Sequence, residues 1–180
     1  MANGMCVPRG VAWGTSVVEV DVLQSFKALS GWNEALSASL DEWGQLGFLP
    51  ELVFVEGASS SMGAEPLNGF LGMTETTQFT EILRVRMSVA SDADWAAYDL
   101  QTVVKHELGH FFGLPDVDAP GTLMHWQVEP GVRLVVTEMD AEIAAEQYSE
   151  SCVGCSISHG ASGSVCFLVA IVAALLIWRK

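Results

Sequence analysis

The chain has 180 residues, half of them hydrophobic, which is enough for one domain with a real core plus a tail. Its formal net charge is −14, from 8 Lys and Arg against 22 Asp and Glu. That balance excludes nucleic-acid binding, because a phosphate backbone selects Lys/Arg patches and the one basic pair is Arg179-Lys180 at the chain end. In chain order, Thr15 to Val22 alternates and is rich in Val, so it reads as a first strand. Ser25 then caps a long helix whose Phe26, Leu29, Trp32, Leu36, Leu40 and Trp43 recur every three or four residues and read as core. Leu52-Val53-Phe54-Val55 is a second, short strand, and the Gly/Ser-rich stretch 57–66 reads as a loop. Phe70–Thr77 and Glu81–Val89 are two more strands, and Ser91–Trp95 turns the chain into a helix capped by Asp99.

That helix carries His106-Glu107-Leu108-Gly109-His110-Phe111-Phe112-Gly113-Leu114-Pro115-Asp116. Two histidines four apart stand on one helical face, one turn apart, so both imidazoles can converge on one ion. Glu107 lies about 100° further round and can reach a metal-bound water without ligating the metal. Gly113 can end the helix with φ > 0 and reverse the chain, which brings Asp116 back as a third ligand. Three protein ligands leave a fourth tetrahedral position open, as in catalytic rather than structural zinc sites. Asp118 is the rival third ligand, at a spacing two residues longer. Downstream, Gly121-Thr122-Leu123-Met124-His125-Trp126 places a soft thioether where it can line such a site, or simply fill the core. Thr137 caps a last helix that would bury Met139, Ile143, Ala144 and Tyr148.

The run 106–116 resembles the HExxHxxGxx(H/D) signature of the metzincin metallopeptidases. Asp in the third position is similar to the small bacterial peptidases of the snapalysin type. Zinc accepts carboxylate oxygen at a length close to that for imidazole nitrogen, and the added negative charge makes its water less acidic. Met124 then stands where these enzymes have the Met turn. Trp126 stands where astacins have Tyr, so no tyrosine role is carried over. Asp99-Leu100-Gln101-Thr102-Val103-Val104 before the motif, and Arg133-Leu134 with Thr137-Glu138-Met139-Asp140 after it, resemble the matrixin branch in its compact bacterial form. The resemblance spans Val11 to Tyr148 and is most specific over 106–124. It implies an α+β domain with a twisted, small, mostly parallel sheet, an antiparallel edge strand, an active-site helix and a C-terminal helix. It implies a zinc endopeptidase in which His106, His110 and Asp116 hold Zn²⁺, Glu107 is the base and substrate lies along an edge strand. A side-chain pocket would be walled near Trp126 to Val132. Ca²⁺ is compatible with the resemblance, but no residues are assigned to it. The alternative is a surface-anchored binding module on this scaffold that has lost turnover.

Residues 1–148 are thus the expected catalytic domain, 149–163 a Gly/Ser/Cys linker and 164–180 a short transmembrane or sorting segment with a basic end. Val165–Trp178 is unbroken apolar sequence. As a helix its fourteen residues span about 21 Å against a ~30 Å hydrocarbon core, and the small residues Ala161–Ser164 extend it. Arg179-Lys180 points that end to the cytoplasm and the domain outward. Linker, apolar segment and basic end together resemble the sorting tails of exported myxobacterial proteins. The expected setting is the cell surface or secretion, with peptide or protein substrates and a membrane as partners. Met1–Ser16 has no apolar h-region, so export implies a start upstream or a segment removed. Cys6, Cys152, Cys155 and Cys166 all lie outside the motif. Export would favour a disulfide from Cys6 to Cys152 or Cys155, with connectivity left open.

Overall fold

The computed structural model describes residues 11–148 and 172–179. The four cysteines and the 149–163 linker lie outside the described residues. Five strands, Val17–Val22 (β1), Glu51–Phe54 (β2), Ser60–Glu65 (β3), Phe70–Gln78 (β4) and Ile82–Ala90 (β5), form a mixed sheet in the order β2-β1-β3-β5-β4, and a sixth, Val172–Arg179 (β6), lies on the outer side of β4. β1 runs parallel to β2 and β3, β3 runs parallel to β5, and β4 returns antiparallel to β5. Four helices complete the domain: Gln24–Lys27 (α1), Trp32–Gly44 (α2), Leu100–Phe111 (α3) and Glu138–Tyr148 (α4). This is the expected α+β architecture, a mostly parallel sheet with an antiparallel edge.

Alternation in β1 sends Val18, Val20 and Val22 into the core, where they join Met62 of β3 and Val85, Met87 and Val89 of β5. α3 packs against β4 and β5 on one side and α2 on the other. Every residue from Thr102 to Phe111 is buried, so α3 has no solvent face. Its polar groups therefore need partners inside the protein. Trp43 Nε1 donates to Lys105 O at 2.9 Å and Ser39 Oγ to Gln101 O at 3.3 Å, which locks α2 onto α3. The wholly buried Lys105 ammonium pairs with Glu42 of α2 and donates to Leu134 O at 3.0 Å. Glu42 Oε2 also accepts from Val136 N–H at 3.1 Å, so this one carboxylate fastens two segments. At the C-terminal end of α3, Trp13 Nε1 donates to Phe111 O and the Tyr148 hydroxyl donates to Phe112 O, both at 2.8 Å.

The structure corrects four expectations. The helix expected to run unbroken from Ser25 through Trp43 is two helices, because Gly31 takes φ +77° and resets the chain direction before Trp32. Ser25 does not cap; its Oγ accepts from Ala64 N–H at 3.1 Å. The 57–66 loop contains β3, a strand inside the sheet. Its small residues are there because α1 sits directly on it: a Cβ on Gly63 would lie 3.2 Å from Leu23 Cδ1. Met139 is exposed, and α4 instead buries Asp140 and Ala144.

The apolar tail lies only partly within the described residues. Of the expected 164–180 segment, Val172–Arg179 is described and forms a strand, β6, antiparallel along the outer edge of β4. No helix among the described residues is long and apolar enough to cross a membrane. The physical reason is that Val, Ile and Trp suit a strand, and the edge of β4 offers a row of backbone donors and acceptors.

Truncating Glu42 would leave the Lys105 charge buried without its carboxylate. Glu42→Ala is expected to lower the unfolding free energy by about 3–5 kcal/mol. The exposed neighbouring change Asp41→Ala should stay within about 0.5 kcal/mol. Urea denaturation of both variants measures the contrast.

Candidate metal centre

α3 begins where the sequence places it. The Asp99 carboxylate accepts from Thr102 N–H at 2.9 Å and Thr102 Oγ1–H at 2.7 Å, and Arg133 holds its other oxygen from 2.7 Å. The helix ends at Gly113, whose φ is +90°. Its N–H donates to His110 O at 2.9 Å, and a side chain there would run into Val11 O. The reversal carries Pro115 and Asp116 back across the histidine face. Val117 N–H then donates to Met124 O at 2.8 Å, and Val117 bridges to His125, so the Asp116 segment is zipped to the turn that holds Met124.

His106, His110 and Asp116 offer ligand atoms within 4.8 Å of one another. Asp116 Oδ1 lies 3.3 Å from His106 Nε2 and 3.4 Å from His110 Nε2. A tetrahedral ion bound at 2.0–2.1 Å has ligand–ligand edges of about 3.3–3.4 Å, so these separations fit one. His110 Nε2 and Asp116 Oδ1 are buried with no directed hydrogen bond to any protein group. Such atoms are costly unless something else satisfies them. The three residues could hold a metal ion.

The ring tautomers are set from behind. His106 Nδ1 is 2.7 Å from Leu123 O, and His110 Nδ1 is 2.8 Å from Leu114 O. A carbonyl can only accept, so each Nδ1 carries the proton and each Nε2 presents its lone pair toward Asp116. Burial, and next the neighbouring His110, push the His106 pKa down to about 4, which keeps it in the neutral form a metal requires. Burial works against the charged form of His110 too, but the Asp116 and Glu107 carboxylates prevail and raise it. Burial also opposes ionisation of Asp116, yet both histidines hold it well below the usual carboxylate range.

Two more contacts fix the floor. Met124 is fully buried, and any side chain on Gly109 would collide with its thioether, so the Met packs against the helix at Gly109, next to His110 in the chain. The backbone of the same turn hangs from Asp140 of α4. Its carboxylate accepts from Leu123 N–H and Met124 N–H, each at 3.0 Å, and from Thr137 N–H and Oγ1–H at 2.8 and 2.6 Å. Asp140 is itself fully buried.

Glu107 points at β4. Its Oε2 accepts from Thr74 Oγ1–H at 2.6 Å, while its Oε1 has no partner. Gly72, two residues away on the same strand face, leaves the carboxylate its room, since a Cβ there would overlap it. Burial pushes the Glu107 pKa up to about 7, against the opposing pull of His110 and Thr74. A carboxyl group with that pKa can both take and return a proton near neutral pH.

The structure thus gathers His106, His110 and Asp116, sets Glu107 beside them and packs Met124 against Gly109 of the same helix. Asp118 is exposed and stands outside the group. Thr74, Gly72 and Asp140 escaped the reading of the sequence. Thr137 and Asp140 carried a visible cap signal, but nothing local announced that the cap also supports the metal centre. Thr74 and Gly72 lie 33 and 35 positions before Glu107 and carry no motif of their own. The chain matches no known protein-family profile and no curated protein.

Asp116→Ala is expected to lose bound metal after dialysis, whereas Asp118→Ala retains it, as read by metal analysis of the purified chains. Asp140→Ala should cost about 3 kcal/mol or more, since several hydrogen bonds to a buried charge are lost and their donors orphaned. It should also loosen metal retention, although Asp140 touches no ligand side chain.

Proposed function

We propose that the protein is a zinc-dependent endopeptidase of the metzincin type, with proteins or peptides outside the cell as substrates. One observation carries the reading: the Nε2 atoms of His106 and His110 lie 3.3 and 3.4 Å from one oxygen of Asp116, with the Glu107 carboxyl beside them on the same helix. The sheet order, the reversal at Gly113 and the buried Met124 against Gly109 support it. His106, His110 and Asp116 would hold the ion. Bound there, zinc supplies Lewis acidity toward the scissile carbonyl and acidity to a water.

The chain's own residues supply the rest. Glu107 accepts a proton from the attacking water as the C–O bond forms, and delivers it to the amine as the C–N bond breaks. Thr74 keeps Oε2 occupied, so Oε1 is the atom available for that transfer. The substrate backbone would add to the edge of β4 as an extra strand. Outward display at a membrane through the tail belongs to the same proposal, and flotation of the full chain with lipid vesicles tests it.

Glu107→Gln should keep its metal, because all three ligands remain, and lose peptide hydrolysis by about a hundredfold or more. Wild type should lose activity to a chelator and regain it with zinc. Undiminished cleavage by Glu107→Gln would remove Glu107 from the role of base. A wild type that holds zinc but cleaves no member of a peptide library would be a binding module instead.

A further inference from the structure

β4 has two edges, and both are taken. One pairs with β5, which sets Gly72 opposite Val89 and Thr74 opposite Met87. The other pairs with β6, which sets Gly72 opposite Trp178, Met73 opposite Ile177 and Thr74 opposite Leu176. Thr74 donates to the Glu107 carboxylate, and Gly72 leaves it the space that a Cβ would fill. The chain's own C-terminal strand therefore crosses the sheet edge at the level of the metal centre, running antiparallel along it. An edge strand has one outward row of N–H and C=O groups, and a second strand cannot share it.

We infer that Val172–Arg179 occupies the substrate edge, so that the C-terminal segment and an extended peptide exclude one another there. The inference rests on the peptidase reading. It makes the preferred guest of this edge an extended, apolar, uncharged stretch, since that is the sequence from Val172 to Trp178. It also sets two fates of the tail against each other. A tail drawn into a lipid bilayer leaves β4 open, and a tail on β4 is withheld from the bilayer. The segment is tethered, so its effective concentration is on the order of millimolar, and a peptide supplied at about 0.1 mM competes at a disadvantage of about tenfold.

The test keeps the full chain. Proline lacks the N–H that a ladder needs, and adjacent residues direct their N–H groups to opposite sides, so a double proline always removes one bond to β4. Leu175→Pro with Leu176→Pro, and separately Ala173→Pro with Ala174→Pro, are compared with wild type, all loaded with zinc. Amide hydrogen exchange over residues 72–78 should speed up in both variants. The KM for a short apolar peptide should fall with kcat unchanged, because a competitor has been removed, by about tenfold for a tail whose own Kd for the edge is about a tenth of its effective concentration. Unchanged exchange over β4, or faster exchange with the same KM, overturns the inference. Absence of chelator-sensitive cleavage in every chain defeats the peptidase reading and the competition with it, and the exchange measurement then shows separately whether β6 pairs with β4.

Discussion

The arrangement depends on one buried carboxylate. Asp140 belongs to α4, far along the chain from the histidines, and takes four hydrogen bonds from the backbone and side chain of Thr137 and the backbone of Leu123 and Met124. Through Leu123 O it reaches His106 Nδ1, and through Met124 O it reaches the Val117 amide beside Asp116. Two of the three candidate ligands are therefore oriented from a single anchor. A charge with this many donors is stable without water, and the loss of any donor would leave the charge undersolvated. That is the physical basis for holding ligand atoms at tetrahedral spacing.

A second constraint follows from burying α3 on all sides. A helix carrying Lys105, His106, Glu107 and His110 without a solvent face can exist only if other segments answer each polar group. Glu42 and Leu134 answer Lys105, Leu123 and Leu114 answer the Nδ1 atoms, and Thr74 answers Glu107. These partners come from α2, β4 and the long segment between α3 and α4. The site is thus assembled by the tertiary fold as a whole rather than by the helix alone, and the helix is affordable only inside that fold.

What could be read from sequence was what is local in space as well as in sequence. Two histidines one helical turn apart, a glycine to reverse the chain and an aspartate three residues on form a compact unit, and the structure brings them together. The Asp99 and Thr137 caps were legible for the same reason. β3 was not, because Ser60, Gly63 and Ala64 have loop composition, and only the close approach of α1 explains why small residues are required there. Gly31 within an apolar-periodic run was read through, although its left-handed backbone divides the run. Met139 was assigned to the core by periodicity, whereas α4 turns a buried aspartate inward instead. Hydropathy along Val165–Trp178 carries no sign of the pairing of Val172–Arg179 with β4, because that contact joins segments far apart in the chain.

Trp13 and Tyr148 lie near opposite ends of the folded unit, yet both donate to carbonyls at the same end of α3, at Phe111 and Phe112. The chain is in effect laced closed at the base of the helix that bears the histidines. Fraying of either end would uncap carbonyls one and two residues past His110, so damage at the margins is transmitted to the centre.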